Sequence, residues 1–308
     1  MTDEANNMGL LDRLDAYLAG GGDLRRGLYA RYRSLVNLRA VLRRRRAARG
    51  ISSEADFTIP RESGFVRFEP GRFPETNAIV HEANRELEKL DPTRVAQPEI
   101  GTKGMFVGLF DCDRLTLDSP FVKFALRPDI IGAISAYLGV VPVLVRIDLW
   151  YSAHQPDLNR THFHHCDWTA ISQVKIFVNC TDVGPDDGPL IMVKAAKSRE
   201  IRRALKYEYD VLGKKHFVPD ERMAEVGAAE HEHRFTGPPG TVYFADTSRC
   251  FHCGSRIAEG AGPRLVAMFQ FLRPSAFRLP LKFRAGAPFR KMAREDQAPW
   301  QRMVLGAE

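Results

Sequence analysis

Apolar positions in the first fifty residues recur at helical spacing. Leu10, Leu11, Leu14, Tyr17 and Leu18 predict one helix over residues 8–18, stopped by Gly20-Gly21-Gly22. Leu24, Leu28, Tyr32, Leu35, Leu38 and Leu42 continue every three or four residues and predict a second, with arginines over much of its remaining surface. Its tail, Arg43-Arg44-Arg45-Arg46, places cations at a helix C-terminus, where the dipole favours them. Residues 51–75 lack a clear period. Ile79, Val80, Ala83, Leu87 and Leu90 mark a helix over 76–90 that ends at Asp91-Pro92, and Ile130, Ile131, Ile134, Tyr137 and Leu138 mark another before Gly139. Gly104 to Phe110 reads as a strand. Beyond Gly139 the chain turns β-rich, with strong strand signals at 143–151 and 170–178. A turn at 184–188 leads into Pro189-Leu-Ile-Met-Val, and two further strands follow Gly240 and Arg264. Residues 199–235 are charged and partly helical, as an insertion between strands would be.

Several antiparallel strands following helices point to an α+β domain with a jelly-roll core, although periodicity alone is equally compatible with a sandwich. The 308 residues suffice for one substantial domain with an extension. The division expected is a basic helical N-terminal extension over 1–55 and a strand-rich domain over 56–308. No apolar run approaches the ~20 residues that a membrane-spanning helix needs. The N-terminal Met-Thr-Asp-Glu-Ala-Asn-Asn is polar and acidic, unlike a secretory signal. Five cysteines, an odd and sparse number, suggest reduced thiols and a cytoplasmic protein.

Charge changes this picture at one place. Residues 24–50 hold ten arginines and no acid, so the overall +7 leaves the rest of the chain at −3. The expected arrangement packs the leucine stripe on the main domain and leaves the arginines in water. An anionic membrane surface or an acidic protein partner is the alternative for this helix, and an oligomer is open. Nucleic acid is not expected, because no recognised binding fold accompanies the arginines.

The chemistry concentrates in residues 160–168, Arg-Thr-His-Phe-His-His-Cys-Asp-Trp. In extended backbone His165 and Asp167, two apart, point to one side and supply two-thirds of a His-His-carboxylate iron(II) site. His252, in Cys250-Phe-His-Cys-Gly after a strand, is the natural third ligand. Arg264 follows twelve residues later.

Three blocks in this order, His165-x-Asp167, then Asp187-Gly188-Pro189-Leu190, then the Gly240 strand leading to His252 and Arg264, give the chain its family likeness. It resembles the phytanoyl-CoA dioxygenase family of iron(II)- and 2-oxoglutarate-dependent oxygenases over roughly residues 120–274. The resemblance implies a double-stranded β-helix, a cupin-like jelly roll with flanking helices and the metal near one open end. It also implies Fe(II) held by His165, Asp167 and His252, with 2-oxoglutarate and O₂ as co-substrates of a small-molecule substrate. The far carboxylate of 2-oxoglutarate would meet Arg264, the family position; Arg256, in a loop, is the alternative. Two departures stand out. The family's Pro-Gly-Ser/Thr-His-Lys reads Lys194-Ala-Ala-Lys-Ser198, and the small hydroxyl residue usual two after the distal histidine is Gly254, with Ser255 one step beyond. Related halogenases replace the carboxylate ligand by a small residue, so Asp167 favours oxygen insertion, desaturation or ring closure.

Two other readings compete. Cys250, Cys253, Cys166 and His252 could form a thiolate zinc site, and a catalytically silent jelly roll would only bind. His162 and His164 are expected at the substrate entrance or in solvent. Trp150, Tyr151 and Trp168 could shape a pocket or simply pack in the core. Gln173, Lys175 and Phe177 share one face of their strand and border the co-substrate only if that face lines the barrel.

Overall fold

The computed structural model describes residues 10–90, 107–110, 112–158, 160–209, 216–283 and 287–307. Three helices open the described chain: α1 (Leu10–Ala19), α2 (Asp23–Val36) and α3 (Leu38–Ile51). Strand β1 (Phe65–Phe68), helix α4 (Glu75–Glu88), strand β2 (Val107–Gly108) and helices α5 (Pro120–Ala125) and α6 (Pro128–Leu138) follow. The strand-rich part holds β3 (Val143–Ser152), β4 (Val174–Asn179), β5 (Leu190–Val193), β6 (Glu232–Phe235), β7 (Val242–Ala245), β8 (His252–Cys253) and β9 (Arg264–Leu272). Helices α7 (Ala195–Ala204) and α8 (Asp220–Glu225) lie between β5 and β6, and α9 (Pro299–Val304) is near the C-terminus.

All named strand pairs are antiparallel. A six-stranded sheet runs β1-β7-β4-β9-β3-β2 and a three-stranded sheet runs β6-β5-β8. His165 adds a fourth rung to the smaller sheet through its bridge to His252, and with that rung counted between β3 and β4 the chain passes from sheet to sheet at every step up to β9 except from β5 to β6, which pair with each other. This winding is the double-stranded β-helix. β9 is buried at every position, because it is covered on both faces. One face carries Leu265, Ala267, Phe269 and Phe271 into a core shared with α3, α5, α6 and α9; the other carries Val266 and Met268 toward the small sheet. Period-2 alternation therefore sorts β9 and its neighbours into a structural face and a cavity face. Helix α6 ends at Gly139, whose φ of 72° is the left-handed conformation that glycine adopts without a Cβ penalty.

Several expected elements differ in detail. The helix expected through Leu42 breaks at Asn37, whose side-chain amide donates to Arg33 O and Leu281 O. The strand expected from Ala170 begins at Val174, because Asp246 accepts from Ser172 Oγ and the Gln173 amide and holds that segment in a turn. β6, Glu-His-Arg-Phe, had no apolar alternation to reveal it. Residues 8–9 and 104–106 of the expected elements lie outside the described residues.

The packing of the arginine-rich helices reverses the expectation. Arg26, Arg33 and Arg44 are buried, whereas Leu24, Leu28, Tyr32, Leu35, Leu38 and Leu42 are exposed. The reason is a set of backbone acceptors. Arg44 donates to the carbonyls of Val141 (3.1 Å), Pro142 (3.1 Å) and Met303 (2.8 Å), which ties α3 to β3's entry and to α9. Arg26 donates to Ala19 O, to Ala170 O at 2.9 Å and to Trp168 O at 3.3 Å, beneath the Tyr209 ring. Arg33 donates to Leu279 O and pairs with Asp15 at 2.9 Å. A planar guanidinium satisfies several carbonyls at once, a task no leucine can perform. Replacing Arg44 by Ala would leave three carbonyls without this donor, and the expected loss is about 3 kcal/mol in urea unfolding. Arg45→Ala, on the exposed side of the same helix, is expected to stay within about 0.5 kcal/mol of the parent.

Candidate metal centre

His165, Asp167 and His252 converge as expected. Their ligand atoms all lie within 4.8 Å of one another, and among the described residues this is the one group of three such side chains that does so. Backbone pairing brings them together. His165 and His252 exchange both N–H···O bonds, at 3.0 and 2.9 Å, and the rings come to 4.3 Å between centroids. Each ring is oriented by its own chain: Nδ1 of His165 lies 3.0 Å from Phe163 O, and Nδ1 of His252 lies 3.1 Å from Cys250 O. A carbonyl can only accept, so Nδ1 carries the hydrogen and the lone pair is on Nε2 in both rings. Nε2 of His252 is 4.0 Å from Asp167 Oδ2. Two neutral imidazoles and a carboxylate on one side of a point are a donor set that divalent iron accepts.

Asp167 is the most heavily anchored of the three. Its amide donates to Thr247 O at 2.8 Å. Its Oδ2 accepts from the Thr247 hydroxyl, from Gln173 Nε2 at 2.8 Å and from Lys175 Nζ at 2.7 Å. Gln173 is fixed in turn by Thr169 and Gln270, at 2.9 and 2.7 Å. Burial alone would raise the Asp167 carboxyl; the adjacent Lys175 ammonium, the largest opposing influence, holds the group well below the usual carboxylate range. It is therefore ionised at neutral pH, as a ligand must be.

The triad opens into a small cavity of about 50 Å³. Trp150, Lys175, Phe177, Leu190 and Val266 line it, so the face of β4 that carries Lys175 and Phe177 is indeed the barrel's inner face. Tyr151 and Trp168 do not line it; they pack against the core clusters.

Arg264 and Ser255 belong to the same cavity. The Arg264 guanidinium is buried, donates to Gly188 O at 3.1 Å and to Ser255 Oγ at 3.2 Å, and makes no ion pair with a described carboxylate. Its Nε has no hydrogen-bond partner, and burial pushes the group down to about 10. A buried cation with an unsatisfied N–H costs several kcal/mol unless an anion meets it. Gly188 is needed for this arrangement: its φ is 65°, and a Cβ there would stand 2.7 Å from Ile257 and 2.9 Å from the Ser255 backbone. Ser255, just across, also has a positive φ of 60°. Arg256, the alternative, turns to the outside, where it forms a bidentate pair with Asp220 at 2.6 and 2.8 Å.

His162 and His164 are corrections, because both are buried rather than at an entrance. Burial lowers His162. Burial would lower His164 as well, yet the Cys253 thiol and Glu232, 3.6 and 3.1 Å away, raise it to about 9. The thiols expected of a zinc site go separate ways: Cys166 beside Arg202, Cys250 toward Ser63 O and Cys253 to His164. Ser198, in the departing Lys194-Ala-Ala-Lys-Ser198 segment, accepts from the Phe251 amide at 2.9 Å and so steadies the approach to His252. Sequence reasoning passed over Thr247 and Asp246. The latter is buried, which raises it, and it accepts from the amides of Ser248 and Arg249 in the turn before β8. Asp-Thr-Ser after an apolar strand is a turn signal that could have found both.

No protein-family model matches the chain, and no curated protein matches it. Solved structures do show similarity. EctD from S. alaskensis with bound Fe is 19% identical over 70% of this chain and 74% of its own, with a TM-score of 0.49. The epimerase SnoN in complex with Fe3+, alpha ketoglutarate and nogalamycin RO is 17% identical over 75% and 85%, with a TM-score of 0.46. HygX from Streptomyces hygroscopicus with nickel and 2-oxoglutarate is 16% identical over 68% and 82%, at 0.44.

Single replacement of His165, Asp167 or His252 by Ala is expected to weaken Fe(II) binding by at least about tenfold, since each supplies one of three donors. Calorimetric titration under argon measures this, and circular dichroism should show an unchanged fold. A variant that binds Fe(II) as the parent does removes its residue from the centre.

Proposed function

We propose that this protein is an Fe(II)- and 2-oxoglutarate-dependent dioxygenase that oxidises an unactivated C–H bond of a small-molecule or lipid-like metabolite. The observation that carries this reading is the sharing of one cavity by a His-Asp-His triad and a buried arginine with no acidic partner among the described residues. His165, Asp167 and His252 would hold the metal from one side, and Arg264 with Ser255 would receive the far carboxylate of 2-oxoglutarate. When bound, iron and 2-oxoglutarate supply the oxidising power, with O₂ consumed and succinate and CO₂ released.

The chain's own residues do the rest. Thr247 and Gln173 fix the Asp167 carboxylate, so the donor set is organised before anything binds. The carbonyls of Phe163 and Cys250 fix the tautomer of both imidazoles. Arg264 offers a planar fork that matches a carboxylate, in a site where burial strengthens the contact. Trp150, Phe177, Leu190 and Val266 present apolar surface that keeps water from the reacting carbon. Lys175 places a second cation beside Asp167, suited to an anionic group on the co-substrate or substrate. Asp167 itself supports oxidation over halogenation. A zinc-binding or silent jelly roll is the alternative, and the divergent thiols together with the buried Arg264 in the cavity both weigh against it.

Arg264→Ala is expected to raise the 2-oxoglutarate requirement at least about tenfold, the equivalent of losing a charge-assisted contact of roughly 1.5 to 3 kcal/mol. Fe(II) affinity should be unchanged. Succinate release, coupled or uncoupled to substrate, measures the requirement, and Arg256→Ala serves as control. A larger effect in the control would move the carboxylate partner to Arg256, and no succinate from any metal-loaded form would sink the oxygenase reading.

A further inference from the structure

The strongest feature outside the metal centre is the outward face of α2 and α3. Twelve large apolar side chains are exposed among the described residues, and nine of them lie between Leu14 and Leu42. Leu24 is 80% exposed and Leu35 68%. Two of the other three adjoin the same surface. Ile171 shares a groove with Leu35 and Leu38, and the carbonyl of Leu281 accepts from Asn37 at the break between the helices. An apolar ridge this continuous is uncommon on a monomer unless it binds something.

The ridge is held outward and is not a helix waiting to roll inward. On α2 the buried positions are Arg26, Tyr29 and Arg33; on α3 they are Val41, Arg44, Ala48 and Ile51. At 3.6 residues per turn, Leu24, Leu28, Tyr32 and Leu35 fall on the opposite side of α2. Rotating either helix to bury its leucines would strip the buried guanidiniums from their backbone acceptors.

Charge decides the occupant. Arg31 falls within the leucine stripe of α2, and Arg45 and Arg49 continue the stripe of Leu38 and Leu42 on α3; all three are exposed. Apolar side chains interleaved with arginines, and with no acid anywhere in residues 24–50, complement a surface that is apolar below and anionic at its boundary. A second copy of this chain would bring the same arginines against themselves, and like charge disfavours that pairing. We infer that the outward face of α2 and α3 docks the protein on anionic lipid membranes, leucines in the acyl boundary and arginines at the phosphates. The inference is independent of the oxygenase reading, since none of these residues borders the cavity.

Co-sedimentation of the full chain with lipid vesicles tests it. The probe is phosphatidylcholine vesicles with and without roughly 30% phosphatidylglycerol, where each surface cation adds to the attraction. The full chain should bind the anionic vesicles at least about tenfold more tightly than the neutral ones, and lose most binding between about 0.05 and 0.5 M salt. Leu24→Gln, Leu28→Gln and Leu35→Gln together should abolish binding. Arg31→Gln, Arg45→Gln and Arg49→Gln together should remove the anionic preference. All six side chains are exposed, so unchanged unfolding curves should accompany both losses. A parent protein that stays in the supernatant overturns the inference, as does equal binding to neutral vesicles. A concentration-dependent dimer in sedimentation velocity that the leucine substitutions dissolve would also overturn it and assign the face to self-association.

Discussion

The antiparallel bridge between His165 and His252 is the constraint on which the centre depends. It is a backbone interaction, set by the winding of the β-helix, and it places two imidazoles side by side before any side-chain chemistry begins. Everything nearby trims the result. The Phe163 and Cys250 carbonyls choose the tautomer, and the Thr247 backbone receives the Asp167 amide so that the carboxylate completes the set. A change that slipped this register by one residue would turn one histidine away, because adjacent side chains in extended chain point to opposite faces.

The same period of two distributes labour within the large sheet. Leu265, Ala267 and Phe269 serve the core, while Arg264 and Val266 serve the cavity. Rigidity on one face is thereby transmitted to position on the other. The unusual member is Arg264, a cation kept in a place that pulls it down toward neutrality. Folding alone gains little from such a residue. Under the function proposed above, its placement is binding energy reserved for an anion.

The centre was legible in the sequence because one half of it is local and the other is announced by strands. His-x-Asp needs only an extended chain to converge, and His252 and Arg264 sit at strand starts that the apolar runs announce. Lys175 and Gln173 were legible up to a choice of face, which only the closed barrel decides. The helices at the N-terminus were located but turned inside out. Amphipathic reasoning sends leucine inward, and it holds where the facing surface is apolar. Here the facing surface is a row of carbonyl oxygens from Ala170, Val141, Pro142, Leu279 and Met303, and no local pattern in residues 24–50 encodes them. His164 was misplaced for the same reason, since its partners Glu232 and Cys253 arrive from distant parts of the chain.

Those carbonyls also set an order of assembly. Residues 24–50 are synthesised before the groups that hold them: Arg44 finds its acceptors 97, 98 and 259 residues later, and Arg33 finds Leu279 246 residues later. Contacts across such separations carry the greatest loop-closure cost and form late. A segment synthesised before its acceptors is thus among the last to be locked. Until Met303 exists, α3 lacks one of the three carbonyls that hold its guanidinium, and a chain cut short of that residue leaves the basic segment open to proteases. Resistance of residues 24–50 to cleavage is in effect a report that the chain has been made and folded as far as Met303.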